Sequence, residues 1–234
     1  MRARQRHLNP GHFGAAIALD ARFGFSQADG TAVSTWEDRT NNNKDAVQAT
    51  AANQPTYTSN GLNGNPVVTF PGTSTPNQDY LDVASITVNQ PITIVSVYRA
   101  NGGNNYLFDA TSNTSRVIIG YNLVSSTASR LAVLAGGASS LLDAATSTGS
   151  VQIVASVIDT TSSGLWRNGV SRASGTLGSN NIASIRLGER YVNFGNVSQL
   201  NGYIAAYTAL SVSSTPIRKR IEHAYGYAFK LPCS

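Results

Sequence analysis

The sequence predicts an all-β fold, a two-sheet antiparallel β-sandwich with one short C-terminal helix. Three observations predict it. Residues 151–170 (VQIVASVIDTTSSGLWRNGV) place Val151, Ile153, Ala155 and Val157 at every second position, on one face of a strand. Many short β-branched and aromatic runs follow one another between turn signals. Helical spacing is confined to one segment near the C-terminus. Within residues 151–170, Val154 and Ile158 make part of the opposite face apolar, as in a strand deep in a two-sheet stack. Residues 159–164 (DTTSSG) are turn chemistry, and Leu165-Trp166-Arg167 is a second strand. Asn168-Gly169 supplies the two positive φ angles of a type I′ hairpin, and Val170 begins a third strand.

The remaining elements follow in order. Residues 1–13 form a basic arm, and residues 14–234 form the sandwich domain. Residues 15–19 (AAIAL) and 33–36 (VSTW) are short strands, separated from residues 46–49 (AVQA) by the most polar loop of the chain, 37–45. Pro55 pushes Gln54 out of the helical region, so residues 54–57 are extended. Asn63-Gly64-Asn65 turns into residues 66–70 (PVVTF), and residues 80–83 (YLDV) follow. Residues 92–99 (ITIVSVYR) are β-branched and aromatic throughout. Residues 106–108, 117–121 and 131–134 precede the meander, and 184–188 and 201–207 come after it. Thr215 as cap and Pro216 at the first helical position start a helix with Ile217, Ile221, Ala224 and Tyr225 on one face and Gly226 at its end.

A chain of 234 residues suits one large all-β domain with a core that needs no covalent staples. Its sole cysteine, Cys233, rules out an internal disulfide framework and fits synthesis in a reducing cytoplasm. The basic start leads into no sustained apolar run, so no signal peptide is expected, and no stretch is long enough for membrane insertion. The net charge of +5 concentrates in Arg2, Arg4 and Arg6 at one end and Arg218, Lys219 and Arg220 at the other. Either these are solvated ends, or the arm docks on an acidic partner chain. No basic stripe interleaved with aromatics marks a nucleic-acid binder.

The order of these pieces resembles the concanavalin A-like lectin/glucanase superfamily, in its laminin-G-like branch. The matching pieces are residues 18–21 (ALDA), 33–39 (VSTWEDR), 46–48 with 54–56, 63–73 (NGNPVVTFPGT), 79–81 (DYL), 165–170 (LWRNGV), 200–205 (LNGYIA), and the closing helix with Tyr225-Gly226. The resemblance implies a two-sheet jelly roll. It leaves the activity open, since such modules serve as lectins, adhesion units, hydrolases and structural parts of phage particles.

Glycosidases need two carboxylates flanking the scissile bond. The hydrolytic members of the superfamily resemble one another in two glutamates around an aspartate on one strand. Here the glutamates are Glu37, Glu189 and Glu222, none near another in sequence; Glu37-Asp38 diverge in a strand, and so do Asp79 and Asp82. His7, His12 and His223 lie near the termini, and no phosphate loop or zinc spacing appears. The chain is therefore expected not to be an enzyme.

A glycan site needs an aromatic platform beside amides. Tyr106 with Asn104 and Asn105, and Tyr191 with Asn193, Phe194 and Asn196, have that composition. Trp36, Trp166, Phe70 and Tyr203 fall in strand patterns and are expected in the core. In the loop 38–45, Asp38, Asn41, Asn42, Asn43 and Asp45 offer calcium oxygens, or simply a solvated turn. The expected function is a non-enzymatic structural and binding module at a virion surface, a phage decoration, fibre or tail component. It would assemble with other protein chains through the arm and attach to host-surface glycans. A stand-alone lectin-like protein, or a glycan hydrolase or lyase with an unrecognised site, are the alternatives.

Overall fold

The computed structural model describes residues 10–72, 78–102, 105–110, 116–121, 123, 130–136, 139–146, 148–190 and 199–234. Its strands are β1 (Ala15–Asp20), β2 (Thr35–Trp36), β3 (Ala46–Val47), β4 (Thr56–Leu62), β5 (Asn65–Pro71), β6 (Leu81–Val83), β7 (Ile92–Ala100) and β8 (Tyr106–Asp109). They continue as β9 (Val117–Tyr121), β10 (Arg130–Ala135), β11 (Ser140–Thr146), β12 (Val151–Ile158), β13 (Ser163–Arg167), β14 (Val170–Gly175), β15 (Ile185–Leu187) and β16 (Asn201–Leu210), and helix α1 (Thr215–Phe229) closes the chain. Short 3₁₀ turns form at Pro10–Phe13 and Ala51–Asn53.

The strands form two antiparallel sheets of eight strands each. Sheet I runs β14-β13-β12-β7-β16-β5-β4, and sheet II runs β11-β10-β9-β8-β15-β6-β3-β2. The long strand β16 pairs with β7 along one edge; its other edge takes β5 at residues 201–204 and β1 at residues 206–210. Both Asn-Gly hairpins have positive φ at both central residues, Asn63 and Gly64 (50° and 85°) and Asn168 and Gly169 (53° and 81°). The all-β sandwich read from the sequence is the observed one. Strand β11 was not legible there, and β4 extends through the polar residues 58–61.

The main core fills the space between the sheets and includes Trp36, Phe70, Leu81, Phe108, Val154, Ile158 and Leu187. Polar groups cross it as well. Arg167 of β13 reaches Asp143 of β11 at 3.1 Å, and the Tyr98 hydroxyl donates to that of Tyr121 at 3.0 Å.

A second cluster covers the other face of sheet I. Val95, Val97, Ile153, Ala155 and Ala205 pack there under Ile221, Tyr225 and Phe229 of α1. The two apolar faces of β12 therefore meet different covers: Val154 and Ile158 face sheet II, whereas Ile153 and Ala155 lie under the helix. Trp166 and Tyr203, expected in the core, are half-buried at the edge of this second cluster.

The helix differs from its expected form. Ser214, not Thr215, is the N-cap, and its hydroxyl accepts from the Ile217 N–H at 3.4 Å. Gly226 does not end the helix, which runs to Phe229 and is capped by left-handed Lys230. At Gly226 a Cβ would lie 3.0 Å from that of Cys233, so the glycine admits the folded-back tail. The buried stripe includes Arg218 and Glu222, which pair with each other. Arg218, expected on a solvated end, sits 4.1 Å from the Trp166 ring. The side-chain amides of Asn63 and Asn65 donate to the Phe229 and Ala228 carbonyls at 2.8 and 3.3 Å, satisfying the helix C-terminus.

The calcium expectation at Asp38, Asn41, Asn43 and Asp45 is met by a different arrangement. The Asp38 carboxylate accepts from the N–H groups of Ala18, Thr40 and Lys44 at 3.0, 3.0 and 3.1 Å, and from the Thr40 hydroxyl at 2.5 Å. Asp45 accepts from the Asp38 N–H at 2.8 Å, Asn42 donates to the Ala15 and Ala16 carbonyls, and Asn43 takes a positive φ. The Asp38 lone pairs a cation would need thus face N–H and O–H donors. Among the described residues no three His, Cys, Asp or Glu side chains gather where they could hold a metal ion. Asp38→Ala should cost about 2 kcal/mol or more by stranding these donors, read as a lowered midpoint in urea unfolding. An unchanged midpoint would show that Asp38 does not organise the loop.

Candidate functional site

The strand register draws one row across the outer face of sheet II. Successive cross-strand partners are Thr35, Val47, Asp82, Arg186, Asp109 and Ile118. Their sequence neighbours Trp36, Ala46, Leu81, Val83, Ile185, Leu187 and Phe108 point into the core, so the row faces outward. Its β2–β3 end is exposed, with Val47 at 43%, while Asp109 is fully buried.

Arg186 is the centre of this face. Its Nε and Nη2 donate to the two Asp82 carboxylate oxygens at 2.8 and 2.7 Å, and its Nη1 donates to Glu189 at 3.1 Å. Its guanidinium also stacks on the Tyr80 ring, 3.7 Å from the centroid. Gly188, at φ 86°, makes the turn that brings Glu189 back to Arg186; a Cβ there would lie 2.2 Å from the Phe70 ring. Further along the face, Arg116 holds Asp109 through contacts of 2.6 and 3.3 Å, and Arg190 lies 5.7 Å from the Tyr106 ring centroid.

Burial dominates the electrostatics. It pushes the Glu189 carboxyl up to about 7, against the pull of Arg186, and the Asp82 charge adds to the rise. Burial also raises Asp79.

The glycan candidates read from the sequence are not gathered around Arg186. Tyr106 is buried within β8 and is no exposed platform. Asn105 is buried too; its amide donates to the Gly102 carbonyl and its oxygen accepts from the Asn201 N–H at 2.6 Å. Asn105 is held against β16 through the Asn201 N–H. Asn104, Tyr191, Asn193, Phe194 and Asn196 lie outside the described residues, as do Arg2, Arg4 and Arg6. In the described part of the arm, Phe13 packs against α1, with Arg220 over its ring at 4.9 Å. Sequence reasoning missed Tyr80, Asp82, Arg186 and Glu189. It judged the glutamates isolated, whereas the fold brings Glu189 and Asp82 to one guanidinium.

No protein-family model matches the chain, and neither does any curated protein sequence. Solved structures do resemble its fold. An arabinofuranosidase complexed with arabinofuranosyl-alpha-1,2-xylobiose aligns over 95% of this chain and 65% of its own, at 10% identity and a TM-score of 0.67. Domain 4 of AbnA, a GH43 extracellular arabinanase from Geobacillus stearothermophilus, solved in complex with arabinotriose, aligns over 82% of this chain and 97% of its own, at 14% identity and 0.56. A Trypanosoma rangeli sialidase in complex with sialic acid aligns over 92% of this chain but 33% of its own, at 14% identity and 0.51. The shared feature is the β-sandwich fold. The chain spans about two thirds of the arabinofuranosidase and a third of the sialidase.

Glu189 makes a pH prediction. Its carboxyl titrates near 4.5 when unperturbed and about 7 in the fold, so folding favours the protonated form. The stability it lends is complete below about 4.5 and is lost as the pH rises through about 7. Glu222, raised to about 7 by burial, acts in the same direction. Thermal unfolding followed from about pH 4 to about pH 8 should show a falling Tm, and Glu189→Gln should remove part of the fall. A profile that Glu189→Gln leaves unchanged would contradict the burial described here.

Proposed function

We propose that this chain is a carbohydrate-binding β-sandwich module that takes neutral glycans on the outer face of sheet II without turning them over. The observation that carries the reading is the Tyr80–Asp82–Arg186–Glu189 group on a sheet face that no helix covers among the described residues. Along this face Arg116 pairs with Asp109, and Arg186 pairs with Asp82 and Glu189. A set of charges paired in advance offers hydroxyls both donors and acceptors without favouring an ion. Half-buried Tyr80 and exposed Val47 add the apolar contact that the C–H face of a sugar needs. The arabinotriose complex of the arabinanase domain, matched over nearly its whole length, supports sugar binding on such a scaffold.

One observation favours hydrolysis as a second reading. Glu189 is a carboxyl raised toward neutral pH beside the Asp82 carboxylate, as a glycosidase acid requires. Against it, Arg186 holds both groups, so neither is free to act on a substrate oxygen. Attachment to a virion or another symmetric assembly through Arg2, Arg4 and Arg6 is a separate proposal that rests on the sequence alone. Co-purification of the full chain with particles supports it, and a free monomer in a particle-producing lysate counts against it.

A broad glycan array followed by calorimetry tests the main reading. Neutral oligosaccharides should bind, and Tyr80→Ala or Asp82→Asn should each weaken them about tenfold or more. Failure of every glycan on the array would overturn the reading. Cleavage of a bound oligosaccharide, lost in Glu189→Gln, would replace it with the hydrolytic one.

A further inference from the structure

The outer face of sheet I is covered along only part of its strands. Helix α1 lies over Val67, Val97, Ile153 and Ala205. The tail 230–234 folds back beside it. Lys230 Nζ donates to the Asn63 carbonyl at 3.2 Å, the Leu231 N–H to Gly226 at 2.8 Å, and the Ser234 N–H to Asn168 at 3.2 Å.

Two residues further along each strand, the register sets a second row. Thr56 pairs with Thr69, Thr69 with Tyr203, Tyr203 with Arg99, and Arg99 with Val151. All five are half-buried. Beyond them, at the strand ends, exposed Asn101 donates through Nδ2 to exposed Asn201 Oδ1 at 3.2 Å. The other half of each side-chain amide has no partner among the described residues, and each can turn to a ligand.

Arg99 differs from Arg186 on the opposite sheet. All 12 acidic side chains of the chain lie among the described residues, and none stands within ion-pair distance of Arg99. Its Nε is buried and meets no acceptor among the described residues. Tyr203 is the cross-strand partner of Arg99, and its hydroxyl does not neutralise the charge. A buried guanidinium N–H without an acceptor is costly, and a carboxylate engages that planar fork with two parallel hydrogen bonds. The Tyr203 ring supplies an apolar face, and the Asn101 and Asn201 amides are placed for hydroxyls.

We infer that Arg99, Tyr203, Asn101 and Asn201 form a second ligand site, on the outer face of sheet I, for a sugar that carries a carboxylate, such as a uronic acid. Arg99 takes the carboxylate, Tyr203 lies along the ring, and the amides take the hydroxyls. This site is separate from the sheet II face and does not depend on it.

Calorimetry and NMR titration of the full chain test it with glucuronic acid, with glucose as the control lacking the carboxylate and acetate as the control lacking the sugar. Glucuronic acid should bind with shifts at Tyr203 and Asn201 amides, and more tightly than either control. Arg99→Gln should weaken it about tenfold or more, and Arg99→Lys, which keeps the charge but loses the fork, should weaken it as well. Tyr203→Phe keeps the ring packing and removes only the hydroxyl beside Arg99; it should weaken binding several-fold, which keeps the test open if Arg99→Gln does not fold. Asp82→Asn should leave glucuronic acid binding unchanged, so failure at one sheet is told apart from failure at the other. No saturable binding of glucuronic acid, or equal binding by wild type and Arg99→Gln, would overturn the assignment. Equal affinity for acetate would reduce the site to an anion site without sugar recognition, and would overturn it too.

Discussion

Sheet I has to bury both of its faces, and the rest of the structure follows from that constraint. β7 carries Ile92, Ile94, Val95 and Val97, and β12 carries Ile153, Val154, Ala155 and Ile158, so apolar side chains leave both strands in both directions. Leaving either face in water would forfeit about 25 cal/mol for each Å² of apolar surface left exposed. Sheet II covers one face and α1 the other, which makes the molecule three layers deep in its middle. The helix can do this because its buried stripe, Ile221, Tyr225 and Phe229, falls at i, i+4 and i+8.

The same constraint decides where polar chemistry can sit. Around β6 and β15 the apolar side chains of sheet II turn inward, so its outer face there can carry Asp82, Arg186 and Glu189. A helix across that face would have to bury three charged groups, and burying charges is costly even when they are paired. On sheet I the helix and tail cover one stretch of the strands and leave Tyr203 and Arg99 at their edge. Both candidate sites are therefore what remains after the apolar faces have been covered. They differ in charge: Arg186 is compensated within the chain, and Arg99 is not.

Most of the architecture was legible residue by residue. Asn168-Gly169 announces its hairpin because only a tight primed turn uses two positive φ angles in succession. The alternation in 151–158 announces β12. The helix was legible in place but not in extent, because the tail, and not local propensity, decides that Gly226 continues it. The buried Arg218–Glu222 pair reads in sequence like a solvated i, i+4 pair. The sheet II site left a trace that can be recognised in retrospect. Leu81-Asp82-Val83 and Ile185-Arg186-Leu187 are both triplets with a charge between two apolar residues, and the charges are opposite. Such triplets fit short strands that turn one charge outward, but nothing local says that the two strands pair.

The sequence by itself determined the class of fold, the position of most strands and turns, and the single helix, because these depend on side-chain periodicity and on the φ angles that asparagine, glycine and proline allow. Only the tertiary structure decided which sheet the helix would cover, that Tyr106 and Asn105 would be buried, and that Asp82, Arg186 and Glu189 would meet. The physical reason is the range of the interactions. Periodicity and turns are settled between residues a few positions apart. A salt bridge between Asp82 and Arg186, 104 residues apart, depends on which strands lie side by side, and that is fixed only when the whole core packs.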